Sequence, residues 1–142
     1  YNSTIETHLL IEDSIDHIEI IRTDTIDNLY RDNFNEISCA CIKIDVEGHE
    51  LHVIKGARTL ISAVSPTMII EVNQKGDHFL KFVDIMKEYG YNIYELGDFG
   101  KKFYFKKILI DQPINLAEIS NNDFLAVKDD DLQKIINKYT AT

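Results

Sequence analysis

The sequence predicts an α/β fold built on a mostly parallel sheet with one late antiparallel strand, and three observations carry that expectation. Apolar runs of strand length alternate with segments whose apolar residues fall at helical spacing. Two of those runs are apolar almost throughout, as strands buried on both faces are. A late pair of alternating segments separated by glycines reads as a hairpin.

Taken in order, Ile18 to Thr23 is β-branched and alternating, so it reads as a strand. Asp24 or Thr25 then stands where a cap is needed for a short helix from Ile26 to about Arg31. Cys39 to Val46 has the length and composition of a buried parallel strand, which breaks at Gly48. From Glu50 to Val64, the residues Leu51, Ile54, Ala57 and Ile61, joined by Val53, Leu60 and Val64, make one wide helical stripe that Ser65-Pro66 stops. Thr67 to Val72 is a second buried strand. Phe79, Phe82, Val83 and Met86 mark a further helix, ended by Gly90.

Beyond it come a strand from Tyr91 to Leu96, a turn at Gly97 to Gly100, an alternating strand around Phe103 to Ile110 and a loop near Pro113. The strand Phe124 to Lys128 and an amphipathic helix from Asp130 to Tyr139 complete the pattern. Such alternation predicts a sheet covered by helices on both faces.

The 142 residues, 44% hydrophobic and 27% charged, suffice for one globular domain. A formal net charge of −9 argues against a phosphate-backbone binder. The basic cluster Lys101, Lys102, Lys106 and Lys107, interleaved with Phe103, Tyr104 and Phe105, could stack single-stranded nucleic acid. An amphipathic edge strand with lysine-decorated ends explains the same residues and is preferred. Cys39 and Cys41, two apart in an apolar run, read as small buried strand residues with no activating base in view. No run approaches the roughly 18 consecutive apolar residues of a membrane span, and no signal-like beginning is visible. A cytoplasmic protein without membrane or nucleic-acid partners is the expectation. The chain opens on Tyr1 in mid-pattern, which reads as a truncation.

In open α/β sheets the ligand sits beyond the carboxyl ends of the strands, and here those ends are acidic. The first buried strand finishes Lys43-Ile44-Asp45-Val46-Glu47-Gly48, the second Glu71-Val72-Asn73. Period-two geometry puts Lys43, Asp45 and, if the strand persists, Glu47 on one face, with Lys43 paired to Asp45. Adjacent strands would bring Glu71 to the same mouth. Three carboxylates there could deprotonate a hydroxyl, bind a cation or hold a sugar. Acids at a strand end and in a helix's first turn also arise for purely structural reasons, because the helix dipole favours them.

His49 and His52 are three apart and lack the four-residue spacing of a helical zinc pair, so polar helix-face histidines are the better reading and no metal is expected. His8, His17 and His78 carry no signal. Gly97-Asp98-Phe99-Gly100 lacks the companion loops of a kinase and reads as a turn.

The run Ile42-Lys43-Ile44-Asp45-Val46-Glu47-Gly48-His49-Glu50-Leu51, followed by Val53-Ile54-Lys55-Gly56-Ala57, closely resembles the signature block of FkbM-type methyltransferases. Thr25-Ile26-Asp27-Asn28-Leu29 resembles that family's Thr-Leu-Asp element. Pro66 with Ile69-Ile70-Glu71 resembles its next strand, and Gly90-Tyr91 its helix end. The likeness spans roughly residues 18 to 96.

The resemblance implies the C-terminal half of a class I, Rossmann-like methyltransferase fold, whose full sheet has seven strands with the last antiparallel. It implies S-adenosylmethionine as cofactor and methyl transfer to a hydroxyl of a sugar or related metabolite. It places Asp45 and Glu47 near the methyl group and acceptor, with Asp45 as base or orienter and Glu71 as supporting acid.

No Gly-x-Gly follows a strand, so the family's glycine-rich cofactor half has no counterpart, and the cofactor-binding residues stay unassigned. The single partial domain over residues 1–142 is therefore expected to bind the cofactor poorly and to be inactive by itself. It is also expected to expose the edge of the Cys39 to Val46 strand, and so to be marginally stable or to self-associate through that edge. Two other readings stay open: an interaction module derived from a methyltransferase, and a metal-dependent glycosyltransferase using Asp45 and Glu47 as its acidic pair.

Overall fold

The computed structural model describes residues 21–33, 41–99 and 102–128, and the architecture is that of these residues. Helix α1 (Ile26–Asn33) starts where expected. Thr25 Oγ1 accepts the Asn28 N–H at 3.2 Å, and Asp24 Oδ1 accepts the Thr25 N–H at 2.8 Å and Asn28 Nδ2 at 2.5 Å. Both candidate caps act. The strand expected over Ile18 to Thr23 is not seen in its described part: Ile21 to Thr23 pairs with no other strand and leads straight into the cap, with Ile21 73% exposed. Its first residues lie outside the described range.

Strands β1 (Cys41–Ile44) and β2 (Thr67–Glu71) are the two apolar runs, paired in parallel with Ile44 opposite Ile70. Strand β1 gives way to a turn after Ile44, two residues before the apolar run ends at Val46, and in that turn the Val46 carbonyl accepts the His49 N–H at 3.3 Å. Cys41 is exposed rather than buried, because β1 ends the sheet among the described residues. Cys39 lies outside them.

The single helix expected from Glu50 to Val64 is two, α2 (Glu50–Lys55) and α3 (Arg58–Val64). The apolar stripe runs through both, so periodicity does not reveal the break. It is made at Gly56-Ala57, where Thr25 packs within 3.3 Å of the place a Gly56 Cβ would take and the Gly56 carbonyl accepts the Asp27 N–H at 2.8 Å. Asp27 then caps α3 from a distance: its carboxylate oxygens accept the N–H groups of Thr59 and Leu60 at 2.9 and 3.0 Å.

Helix α4 (Asp77–Glu88) lays Phe79, Phe82, Val83 and Met86 on the sheet and closes at Gly90, whose φ of 70° is the left-handed value expected of a glycine after a helix. Strand β3 (Asn92–Phe99) continues through the segment expected to turn at Gly97. It pairs there with β4 (Lys102–Ile108), setting Gly97 opposite Tyr104. The missing Cβ is the reason: at Gly97 it would stand 2.0 Å from Tyr104 Cζ, so only glycine lets that ring cross the strand. After a short 3-10 turn (Leu116–Glu118), β5 (Asp123–Val127) inserts between β2 and β3. The helix expected over Asp130 to Tyr139 lies outside the described residues.

The sheet order is β1-β2-β5-β3-β4, and only the first of its four pairings is parallel. Among the described residues the sheet is thus a mixed one of five strands rather than mostly parallel, and it contains the late antiparallel strand that was expected. The cause is β5, which returns antiparallel between two strands that would otherwise be parallel neighbours, and the β3–β4 hairpin adds another antiparallel pair. Helical cover on both faces is also not what the described residues show. All four described helices pack on one core with Ile44, Met68, Ile70, Ile93 and Phe124. Both crossovers advance the same way across the sheet, and right-handed crossovers then land on the same side. Phe79, Phe82 and Phe124 meet at 4.9 to 5.9 Å at its centre. The opposite face carries a smaller cluster of Tyr94, Leu125 and Val127.

Candidate functional site

The carboxyl ends of β1 and β2 lie side by side, which brings Lys43, Asp45 and Glu71 to one end of the sheet. Lys43 stands opposite Ile69, and Glu71, two residues further along β2, stands opposite Asp123 at the start of β5. Register partners share a face, so Lys43, Glu71 and Asp123 project to the same side, away from the main core. Lys43 Nζ lies 3.1 Å from Asp45 Oδ2, as the i, i+2 spacing predicts, and both side chains are about half exposed (51% and 45%). The Asp45 hydrogen bond, aided by the charges of Asp45, Asp123 and Glu71, holds the Lys43 ammonium above the usual lysine range. The ammonium thus contacts Asp45 alone of the three and feels Glu71 and Asp123 through their charge; Asp123 is a residue the sequence pattern did not single out.

Glu47 does not continue the β1 face. It adopts a left-handed φ of 48° and is followed by Gly48 at 95°, so the chain reverses and Glu47 is carried toward the loop after β2. There Glu47 Oε2 accepts Asn73 Nδ2 at 3.3 Å, and Asn73 Oδ1 accepts Asn122 Nδ2 at 2.9 Å. The Val72 N–H donates to the Asn122 carbonyl at 2.7 Å, tying the end of β2 to the approach of β5. The expected trio therefore divides: Asp45 and Glu71 act on Lys43, while Glu47 belongs to an amide chain beside them.

Beneath this turn is a pair, a buried glutamate and a partly exposed histidine, that sequence reasoning passed over. Glu50, fully buried at the start of α2, accepts the Gly48 N–H on Oε1 at 2.7 Å, and its Oε2 lies 3.2 Å from His78 Nε2 on α4. His78, dismissed as uninformative in sequence, is thus the partner of a core carboxylate. A signal was present: Glu50 is four before Ile54 and His78 four before Phe82, both core positions. On the other side of the turn Gln74 fills the space over Gly48, its Nε2 2.4 Å from where a Cβ would stand.

A second buried carboxylate, Glu95 on β3, is satisfied structurally. Its Oε1 accepts the N–H groups of Ser120 and Asn121, both at 2.7 Å, and Asn121 Nδ2 at 3.1 Å. The described lysines of the basic run are engaged within the chain. Lys106 Nζ donates to the Glu118 carbonyl at 2.7 Å, and Lys107 lies over the Tyr94 ring at 5.8 Å. His49 and His52 are exposed with ring centroids 5.8 Å apart, and among the described residues no group of three His, Cys, Asp or Glu side chains could hold a metal ion. No helix of the described residues is long and apolar enough to cross a membrane.

The family model described as the Methyltransferase FkbM domain matches residues 2–93, a span that includes β1, α2, α3, β2 and α4 with Asp45, Glu47 and Glu71. No curated protein and no solved structure matches the chain.

Proposed function

Because the chain belongs to the FkbM methyltransferase family, we propose that it supplies the acceptor side of an S-adenosylmethionine-dependent methyltransferase acting on a hydroxyl of a sugar or related metabolite. The observation that carries this reading is the Lys43-centred set of Asp45, Glu71 and Asp123 at the carboxyl ends of the parallel strands, where α/β folds present their ligands.

The cofactor supplies an electrophilic methyl group when bound. The described residues do not fit as its cradle. No two glycines of the chain are spaced Gly-x-Gly. The strand-end Gly48 has its open side filled by Gln74, where a cradle needs exposed backbone N–H groups. What these residues offer is the chemistry of the acceptor.

Asp45 is half exposed and meets Lys43 through Oδ2, which leaves its other oxygen to accept from a hydroxyl. Glu71, on the neighbouring strand, orients a second hydroxyl, and Glu47 with Asn73 offers an acceptor and an amide for the remaining ring substituents. Carboxylates and amides together can accept from and donate to the hydroxyls of a polyol, directly or through water.

The test is methyl transfer from labelled S-adenosylmethionine by the full protein to a panel of sugars and glycosides, comparing wild type with Asp45→Asn. A loss of about 10²- to 10⁴-fold in kcat is expected for removal of a general base. Undiminished transfer by Asp45→Asn, with the variant folded, overturns the assignment.

A further inference from the structure

Glu50 is the least economical residue near the site. A carboxylate with 0% exposure is costly to desolvate, and a hydrophobe of similar volume is usually as good for stability. Its contacts show what it does instead. Through Oε1 it receives the Gly48 N–H at 2.7 Å, and through Oε2 it meets His78 at 3.2 Å, so one side chain joins the Glu47–Gly48 turn to the starts of α2 and α4. The turn itself is strained, since Glu47 at φ 48° is a non-glycine residue in left-handed backbone. Such a conformation persists only where its surroundings over-determine it.

We propose that Glu50, anchored by His78, is a positioning residue that fixes the left-handed Glu47–Gly48 turn and so aims Glu47 at Asn73 and the acceptor. It touches no substrate; it acts through the Gly48 amide. Gln74 occupies the place a Gly48 side chain would take, so the turn requires glycine there. The functional part rests on the acceptor-side reading above, whereas the geometric part does not.

The experiment compares Glu50→Leu, Glu50→Gln and His78→Leu in the full protein, reading kcat and KM for methyl transfer, the melting temperature, and hydrogen exchange at the Gly48 amide. Glu50→Leu is expected to fold, to exchange Gly48 faster, and to lose about tenfold to 10²-fold in kcat, the effect of a misplaced group, with a smaller change in acceptor KM. Glu50→Gln, which keeps an acceptor oxygen for Gly48, recovers most of the kcat. His78→Leu, which loosens the outer anchor of a partly exposed pair, gives a smaller change of the same kind and serves where Glu50→Leu does not fold.

Wild-type kcat together with unchanged Gly48 exchange in whichever of these variants folds overturns the proposal, as does a kcat loss that Glu50→Gln fails to relieve. Should the wild-type protein methylate no acceptor, the acceptor-side reading fails, and Gly48 exchange in Glu50→Leu and His78→Leu still decides whether Glu50 sets the turn.

Discussion

Asp27 caps a helix to which it does not belong: its Oδ1 accepts the Leu60 N–H at 3.0 Å, while its Oδ2 accepts that of Thr59 at 2.9 Å. Ala57, which precedes α3, has no side chain able to do this, so the cap comes from α1, 33 positions earlier. The same residue's N–H donates to the Gly56 carbonyl at 2.8 Å, closing a two-way lock between α1 and the α2–α3 break.

Asp27→Ala should therefore cost about 1–2 kcal/mol, the upper part of the range for a lost helix cap, because two N–H groups lose their acceptor together. Urea denaturation of the full protein measures it. Asp27→Asn, which keeps one acceptor oxygen, should cost less. Equal stability of wild type and Asp27→Ala would show that water replaces the cap.

Gly97→Ala should destabilise by about 1–3 kcal/mol, the usual result of overpacking, since its Cβ would fall 2.0 Å from Tyr104 Cζ. Moving the Tyr104 ring also breaks the bond that Asn121 Nδ2 donates to its hydroxyl at 2.9 Å, and Asn121 is one of the residues that satisfies buried Glu95. The double variant Gly97→Ala/Tyr104→Ala should be more stable than the sum of the two single losses. Simple additivity in a thermal-melt cycle contradicts this account.

These features separate what sequence patterning can convey from what it cannot. The runs that became β1, β2 and α4 were legible because apolar period and length are local properties, and Lys43–Asp45 because i, i+2 residues on a strand share a face. The α2–α3 break was hidden, since the stripe from Leu51 to Val64 is unbroken and the interruption depends on Thr25 and Asp27. The spacing of Glu50 and His78 to core residues was legible, but their pairing was hidden for the same reason: 28 residues separate partners whose meeting depends on how α4 lies on the sheet. The mixed sheet was illegible because β5 reads as an ordinary apolar strand, and no local feature says between which neighbours it will insert.

Lys43 gives a pH dependence whose sign is fixed. Its hydrogen bond to Asp45, with the charges of Asp45, Asp123 and Glu71, raises its pKa above the ordinary 10.5. A group raised in the folded state contributes stability that is complete below the unfolded value and is lost as pH climbs through the folded one. The contribution of Lys43 should thus be constant across neutral pH and fade only in strong alkali. In Lys43→Met that alkaline component should be absent from stability-versus-pH curves, and the like charges of Glu71 and Asp123, opposite one another on β2 and β5, should destabilise the variant at neutral pH. Adding Asp123→Asn to Lys43→Met should recover part of the loss. No recovery means that the carboxylates do not share the cation.

Glu47 sits where stability and activity pull apart. A glutamate at φ 48° carries about 1–2 kcal/mol of left-handed strain that glycine would not. Glycine's greater freedom in the unfolded chain offsets about 0.4–1 kcal/mol of that relief. Glu47→Gly should therefore be more stable than wild type by roughly 0.5–1 kcal/mol, the difference of those two effects, despite losing the bond from Asn73 at 3.3 Å, which is long and exposed. If Glu47 contacts the acceptor, the same variant should lose methyl transfer while Glu47→Gln, with the strain retained, loses activity without gaining stability. Chemical denaturation and a methyl-transfer assay on both variants separate the two effects. A Glu47→Gly protein less stable than wild type would mean that the left-handed turn is held by glutamate's own contacts, and strain at this site would then have no functional meaning.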